Sequence, residues 1–308
     1  MRYISIVIDN SIIFVIIALI IGVIEDKFII TYIYPLLPLF LIGMMLSAGL
    51  MVPIYKFKYT NLKRLLIIIH AQYILSTLTA YMLSLIFYND MRELALGQIL
   101  HASMPSEQTL PVWIKVANGN LVLGITTLIV STMLSPFISP PLVYIFSEHW
   151  IRIDYHSIFI FLITIVLLPI ISGSILRTKI SYIAKHDNIY TFTSILCALP
   201  TIMIISSLIS IFLKVSLQLI IITVIVSTLH LIITLLLGFI IPKVLKWDKN
   251  DLIVSVYNLS MKEFSVTLSI IVNAGLVNDV GLPASLYGIM HMSIAPLLAR
   301  VFRKRYFY

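Results

Sequence analysis

The sequence predicts an all-α membrane protein with ten transmembrane helices in two inverted five-helix repeats. The first observation is composition: 60% of the 308 residues are hydrophobic and 11% are charged, whereas soluble domains are about 45–50% apolar and about 25% charged. The second is that the chain divides into ten apolar stretches, and a helix needs about 20 apolar residues to cross the hydrocarbon. The third is that basic residues collect in alternate connections between those stretches.

The ten predicted spans are all predominantly apolar. In chain order they are Val7–Ile24, Tyr34–Tyr55, Leu65–Phe87, Leu94–Ala117, Asn120–Phe146, Ser157–Leu176, Ile189–Leu213, Leu217–Ile241, Asp251–Ala274 and Pro283–Phe302. Asp9 and Asn10 interrupt the first span, so we expect it to begin as an interfacial segment. It has no small-residue cleavage site before Glu25, and we therefore interpret it as a retained helix rather than a signal peptide.

Charge sets the predicted orientation. Sixteen of the 21 Lys and Arg residues fall in connections or at span ends on one side, four fall on the other, and Lys262 alone lies deep inside a span. The positive-inside rule therefore places both termini in the cytoplasm, and we expect the chain to lie in the plasma (inner) membrane. The basic residues that orient the chain in the membrane account for the net charge of +8, so this charge does not indicate a nucleic-acid partner. The single Cys197 excludes an intrachain disulfide.

The odd number of predicted helices in each half of the chain predicts two inverted repeats. Residues 1–150 hold the first five predicted helices and residues 151–308 hold the last five. Because five is odd, the second set must run opposite to the first, as in transporters built from inverted repeats.

The fourth span carries polar and helix-breaking residues where lipid-spanning helix is expected. Pro105 and Pro111 each remove a backbone donor and are expected to disrupt the preceding turn. Between them, Ser106 to Thr109 supply oxygen-rich side chains, and freed carbonyls at this depth must find protein, water or an ion. A simple kink without a binding site is the alternative.

The ninth span is interrupted without proline. Lys262 lies about 16 Å along the helix from the Asp251 end at the helical rise, too deep to reach water easily. Charge at this depth is usually functional. We therefore predict that helices 4 and 9 are broken and cross, and that Lys262 forms an ion pair with Glu107 or Glu263. Two interrupted helices at matching places in both halves point to a secondary transporter's binding site.

With these residues identified, the chain resembles the bile acid:sodium symporter family over nearly its full length. The similarity is carried by short motifs in the family's order and spacing. They are Gly43-Met44-Met45-Leu46, Ala71-Gln72-Tyr73, Pro105, Gly119-Asn120, Ser131-Thr132, Ser135-Pro136, Ser139-Pro140, Glu263 and His291.

The resemblance implies a panel domain of helices 1, 2, 6 and 7, a core domain of helices 3–5 and 8–10, and an organic anion bound between them. It implies an ion-coupling site, which we assign to Gln72, Glu107, Lys262, Glu263 and Thr267. It also implies a sodium ion at Gln72, Glu263 and Thr267. The residues expected to contact the anion are Ser106, Gln108, Thr109, Ser265 and His291; for His291, hydrogen-bonded packing is an equal alternative.

The sequence departs from the family at its sodium ligands. Leu110 and Pro111 replace a Ser-Asn pair, and Thr267-Leu268 replaces Gln-Asn. An ammonium beside Glu263 offers one positive charge and three donors, so Lys262 can stand in for a sodium ion. The prediction is a carrier of a bile-acid-like or smaller carboxylate with sodium coupling altered or lost.

Three alternatives bear on this prediction. A proton-coupled carrier and an exporter of the arsenite or auxin-carrier type remain open. An enzyme is not expected, because Asp-rich diphosphate-binding clusters and His-Glu-x-x-His are missing from the sequence. His70, His101 and His230 show no metal-ligand spacing and are expected to pack.

Overall fold

The computed structural model describes residues 11–51, 61–88, 90–147, 154–180, 187–276 and 278–305. Within these ranges the secondary structure is helical, apart from one antiparallel bridge between Ser106 and Lys262. The helices are α1 Ser11–Ile24, α2 Asp26–Met51, α3 Leu62–Phe87, α4a Arg92–Ala102, α4b Leu110–Val116, α5 Leu121–Ser147, α6 Tyr155–Lys179, α7 Asp187–Val215, α8 Leu217–Val244, α9a Lys249–Ser260, α9b Phe264–Asn273 and α10 Gly281–Arg305.

Seven of these described helices, namely α2, α3, α5, α6, α7, α8 and α10, contain a segment long and apolar enough to cross a membrane. The predicted all-α membrane class is confirmed. The helices are compatible with ten spans in two inverted repeats, and that finer arrangement stays a prediction. Residues 7–10 of the first predicted span, residues 52–55 of the second, and the termini lie outside the described residues.

Polar residues set several helix starts. The side chains of Asn61 and Asp248 accept backbone N–H bonds from Arg64 and Asp251, at 3.1 and 3.0 Å, at the beginnings of α3 and α9a. Asp154 and Ser216 do the same for α6 and α8. Such N-caps satisfy donors that a helix leaves free at its first turn.

The four helices α1, α2, α6 and α7 pack together: α2 lies against α6 and α7, and α1 lies against α7. The α2–α6 contact is a backbone contact at Gly49 and Gly173. A Cβ at Gly49 would meet the Ile170 carbonyl oxygen, and one at Gly173 would lie 2.8 Å from the Leu50 nitrogen. Glycine is needed here because no side chain fits between the two helices.

The other helices form a second set of contacts, in which α3 packs against α4a and α8, and α10 packs against α4a, α8 and α9b. An apolar cluster joins this set to α2, since Leu41 and Met45 of α2 pack with Leu100, Met104 and Phe264. The division into panel and core domains agrees with these contacts and remains an expectation.

The predicted cytoplasmic end of the second set is tied together by charge. The Arg64 guanidinium, at the start of α3, contacts the carboxylates of both Asp248 and Asp251. Asn120, just before α5, donates its amide to Asp251 at 2.7 Å. These contacts link the starts of α3, α5 and α9a.

Candidate functional site

The predicted break in the fourth helix is present. Helix α4a ends at Ala102 and α4b begins at Leu110, so residues 103–109 leave the helix in the middle of the predicted span. Pro105 lies inside the break, as expected. Pro111 instead lies in the first turn of α4b, where a missing N–H costs nothing and the fixed φ suits a helix. The expectation that Pro111 disrupts a turn is therefore wrong: it helps to start the second half-helix.

The ninth helix is also broken, and without a proline. Helix α9a ends at Ser260, α9b begins at Phe264, and Met261 and Glu263 have extended backbone conformations.

The two breaks are bonded to each other through the main chain. The Glu107 N–H donates to the Met261 carbonyl at 3.0 Å, and the Glu263 N–H donates to the Pro105 carbonyl at 3.0 Å. Backbone groups exposed to hydrocarbon without partners would each cost several kcal/mol. Each break donates one N–H to a carbonyl of the other break, so these backbone groups are paired without helical partners. The two breaks therefore cross, as predicted, and Ser106, Glu107, Lys262 and Glu263 lie together.

Lys262 is fully buried at this crossing. Its ammonium donates to the carbonyl oxygens of Gln72 at 2.5 Å and Met104 at 3.2 Å, and it lies 5.5 Å from the centre of the Tyr73 ring. Gln72 belongs to a π-type turn, Ala71–Leu75, inside α3. Met104 follows the end of α4a, where carbonyls lack helical partners.

The predicted ion pair of Lys262 is wrong. Neither Glu107 nor Glu263 forms an ion pair with it among the described residues. The physical reason is that two carbonyls, one in a π-type turn and one at a helix end, already solvate the ammonium.

Glu263 is held by other donors. Its carboxylate accepts a bond from the Ser265 hydroxyl and one from the Gln108 backbone N–H at 3.3 Å. The Thr267 hydroxyl donates to the Glu263 carbonyl at 3.2 Å and lies 3.4 Å from His101 Nδ1. Glu263 is therefore a buried carboxylate with direct hydrogen-bond partners from the first break and from α9b.

Glu107 differs from Glu263. Its Oε2 has no hydrogen-bond partner among the described residues, and His291 Nε2 lies 3.9 Å away. This distance exceeds a hydrogen bond, and the two groups form an ion pair only when the imidazole is protonated. The carboxyl groups of Glu107 and Glu263 also contact each other.

The remaining predicted residues lie around the crossing. The Ser106 hydroxyl lies 2.9 Å from the side-chain oxygens of both Gln72 and Asn258. The Gln108 amide contacts Met45 Sδ of α2 at 2.6 Å, which places the crossing at the boundary between the two sets of helices. Thr109 is partly exposed just before α4b. The structure thus groups the predicted residues in one region of the molecule.

The side chains expected to hold sodium have other partners in this conformation. The Gln72 side-chain oxygen faces the Ser106 hydroxyl, the Glu263 carboxylate faces Ser265 and Gln108, and the Thr267 hydroxyl faces a carbonyl of its own helix. The positive charge beside Gln72 is the Lys262 ammonium. In this conformation each of the three side chains is engaged in hydrogen bonds within the protein, and a sodium ion at these residues stays a prediction.

Sequence reasoning missed the residues that complete the ends of the two half-helices. Tyr287 of α10 donates its hydroxyl to the Ser260 carbonyl at 2.8 Å, and Ser139 of α5 donates to the Ser103 carbonyl at 2.6 Å. Asn258, beside Ser106, was also missed. All three are polar groups in apolar helices, which is a weak signal because several other such residues have no role at the crossing.

Replacing Tyr287 with phenylalanine is expected to lower the free energy of unfolding by about 1–3 kcal/mol, because a buried carbonyl at Ser260 loses its donor. Thermal unfolding of the purified protein in detergent measures this loss. The matched control is Tyr34→Phe, since the buried Tyr34 hydroxyl has no hydrogen-bond partner among the described residues. Equal losses in the two variants would contradict the assigned role of Tyr287.

Comparison with known proteins gives two findings. The Sodium Bile acid symporter family matches residues 38–223. A protein of Bacillus subtilis (strain 168), named "Uncharacterized sodium-dependent transporter YocS", is 30% identical over 221 residues, covering 71% of this chain and 68% of the relative. The family match runs from α2 into α8 and includes the first break, whereas Lys262 lies beyond it.

Proposed function

The chain belongs to the Sodium Bile acid symporter family, and from this premise we propose that it carries a small organic anion across the plasma membrane by alternating access, with sodium coupling altered or lost. Membership makes the chain a multi-pass membrane transporter rather than an enzyme. The family's printed name mentions bile acids, so the proposed substrate is a bile-acid-like or smaller carboxylate.

The observation that carries the proposal is the position of the Lys262 ammonium. It lies fully buried at the bonded crossing of two broken helices, on carbonyls of α3 and of the first break. A buried positive charge at a transporter's broken helices does part of what a bound cation would do: it is solvated by the carbonyls of the π-type turn in α3 and of the residue that follows α4a, at the negative end of that half-helix. This charge is covalent, so it cannot dissociate as a coupling ion does.

The packing of the helices supports alternating access. The set α1, α2, α6 and α7 meets the second set mainly through apolar side chains, which can slide without breaking polar bonds. The Gln108–Met45 contact lies at that boundary. We therefore propose that the anion binds where Gln108 faces α2, close to Thr109, Ser265 and His291.

Uptake by proteoliposomes with sodium replaced by choline tests the proposal. Radiolabelled glycocholate, benzoate and pyruvate, three carboxylates, serve as probes of decreasing size. We expect uptake of at least one probe above protein-free vesicles, at similar rates in the two salts. We also expect no sodium-dependent rise in the unfolding temperature, because a ligand that does not bind cannot stabilise.

Two outcomes would contradict the proposed function. Uptake that requires sodium would refute the replacement of sodium by Lys262. A lack of uptake of all three acids in either salt would refute the proposed substrate class.

A further inference from the structure

A groove lies at the surface of the first set of helices, between α1, α2 and α7. Its volume is about 470 Å³, which falls within the range of ligand sites in proteins. Its walls are apolar and include Ile21 of α1, Phe40 of α2 and Met203 of α7, and Glu25 is the charged residue among the described residues that line it. Because this face of the helices is expected to meet lipid, the groove is open to the bilayer.

The groove is held open by fixed contacts between the three helices. Helix α1 lies directly against α7 at Gly22, where a Cβ would be 2.3 Å from the Met203 carbonyl oxygen. At the start of α2, the Asp26 carboxylate accepts a bond from the Ser210 hydroxyl of α7 at 3.0 Å and contacts the Lys214 ammonium. A ligand therefore finds the groove already formed, and ordering the protein costs it little.

The groove spans about one leaflet of a bilayer. Glu25 is the turn residue between α1 and α2, where the chain is expected to reach the outer membrane surface. Phe40, which also lines the groove, follows fifteen residues later, or about 22 Å at the helical rise. Half of a bilayer with its headgroups measures about 20–22 Å. An acyl chain whose headgroup lies at the surface follows the same path.

The residues at the outer end of the groove suit a zwitterionic headgroup. Glu25 and Lys27 are exposed, and neither forms an ion pair within the described ranges. The rings of Phe28 and Tyr32 are 53% and 62% exposed, with centres 5.1 Å apart. A carboxylate binds an ammonium through charge-assisted hydrogen bonds, and aromatic faces attract the same group. A lysine nearby is a phosphate ligand.

We propose that this groove binds one phospholipid with an ammonium headgroup. One acyl chain lies along α2 between α1 and α7, the ammonium contacts the Glu25 carboxylate, and the phosphate contacts the Lys27 ammonium. A lipid with a net negative charge and no ammonium lacks a partner for Glu25 and is repelled by it. Neither the transported anion nor the coupling ion enters this inference, so it stands apart from the proposed function.

Native mass spectrometry of the full-length protein tests the headgroup preference. The protein is released from nanodiscs that contain equal amounts of dioleoyl phosphatidylethanolamine and dioleoyl phosphatidylglycerol. We expect the phosphatidylethanolamine adduct to exceed the phosphatidylglycerol adduct about fivefold, the effect of one partly exposed ion pair. In Glu25→Gln the ratio should fall to about one or below. The matched control is Glu93→Gln, which changes an acidic residue in the first turn of α4a and should keep the wild-type ratio.

Photolabelling tests the position of the acyl chain. Phosphatidylethanolamine with a diazirine on one acyl chain should label peptides of α1, α2 and α7. Ile21→Trp fills the groove and should reduce this labelling, together with both lipid adducts. Equal adducts of the two lipids in the wild type, an unchanged ratio in Glu25→Gln, or labelling confined to other helices would each overturn the proposal. If Ile21→Trp does not fold, the labelled positions in the wild type decide where the chain lies.

A second copy of the protein is the competing occupant of an apolar groove in a membrane. It would appear in the same spectra as a dimer whose groove is not labelled by the lipid, and this result would also overturn the proposal. A monomer that retains one labelled phosphatidylethanolamine would support it.

Discussion

Lys262→Met is expected to lower the free energy of unfolding more than any other single change at the crossing. The methionine keeps most of the side-chain volume but cannot donate to the carbonyls of Gln72 and Met104. A buried carbonyl without a donor costs about 1–3 kcal/mol, and two are orphaned together. Chemical or thermal unfolding in detergent measures the loss.

The matched control is Lys115→Met, which changes an exposed lysine at the end of α4b and should leave stability nearly unchanged. The shorter variant Lys262→Ala opens space beside the same carbonyls. We expect sodium to raise the unfolding temperature of this variant and not that of the wild type, since binding at 100 times the dissociation constant adds about 2.7 kcal/mol. Full stability of Lys262→Met would show that the ammonium does not hold the crossing together.

Gly49→Ala is expected to cause the second large loss of stability, because it disturbs the packing of α2 against α6. The new Cβ would lie 2.9 Å from Ile170 Cα and would meet the Ile170 carbonyl oxygen. Backbone atoms cannot rotate away, so the two helices must separate. Overpacking typically costs about 1–3 kcal/mol, and more where the backbone must move; we expect a loss at the top of this range, together with reduced yield of monodisperse protein on size exclusion.

Gly43→Ala, two turns earlier in α2, is the matched control. Its Cβ would meet Cys197 Sγ at 2.6 Å, and no backbone atom is among its neighbours. The thiol can turn to another rotamer, so this variant should lose much less stability than Gly49→Ala. If the two alanine variants are equally stable, the close α2–α6 contact is not needed for folding.

The breaks themselves could be predicted from the sequence. Proline and a run of polar residues in an apolar stretch identified the first break at Pro105, and a lysine too deep to reach water identified the second at Lys262. The role of Pro111 could not be predicted in the same way, because a proline that ends a helix and one that begins a helix look alike until the helix boundary is known.

The partners of Lys262 were beyond sequence reasoning. Charge complementarity pointed to Glu107 or Glu263, but the ammonium instead reaches a carbonyl in the π-type turn Ala71–Leu75. Such a turn has no clear sequence signature, since the chain Ala-Gln-Tyr-Ile-Leu is compatible with an ordinary α-helix. The donor Tyr287 is likewise fixed by the tertiary packing of α10 and not by any local pattern.

The antiparallel bridge between the two breaks consists of two main-chain hydrogen bonds, with N–H groups and carbonyls from residues 105, 107, 261 and 263. Every amino acid has a carbonyl, and every one except proline has an N–H. These two backbone bonds therefore remain possible when the side chains of Ser106 and Lys262 are exchanged, provided that another group, such as a bound cation, takes over the carbonyls that the Lys262 ammonium contacts. Ion preference in such carriers can then diverge through single substitutions, with no accompanying change of architecture.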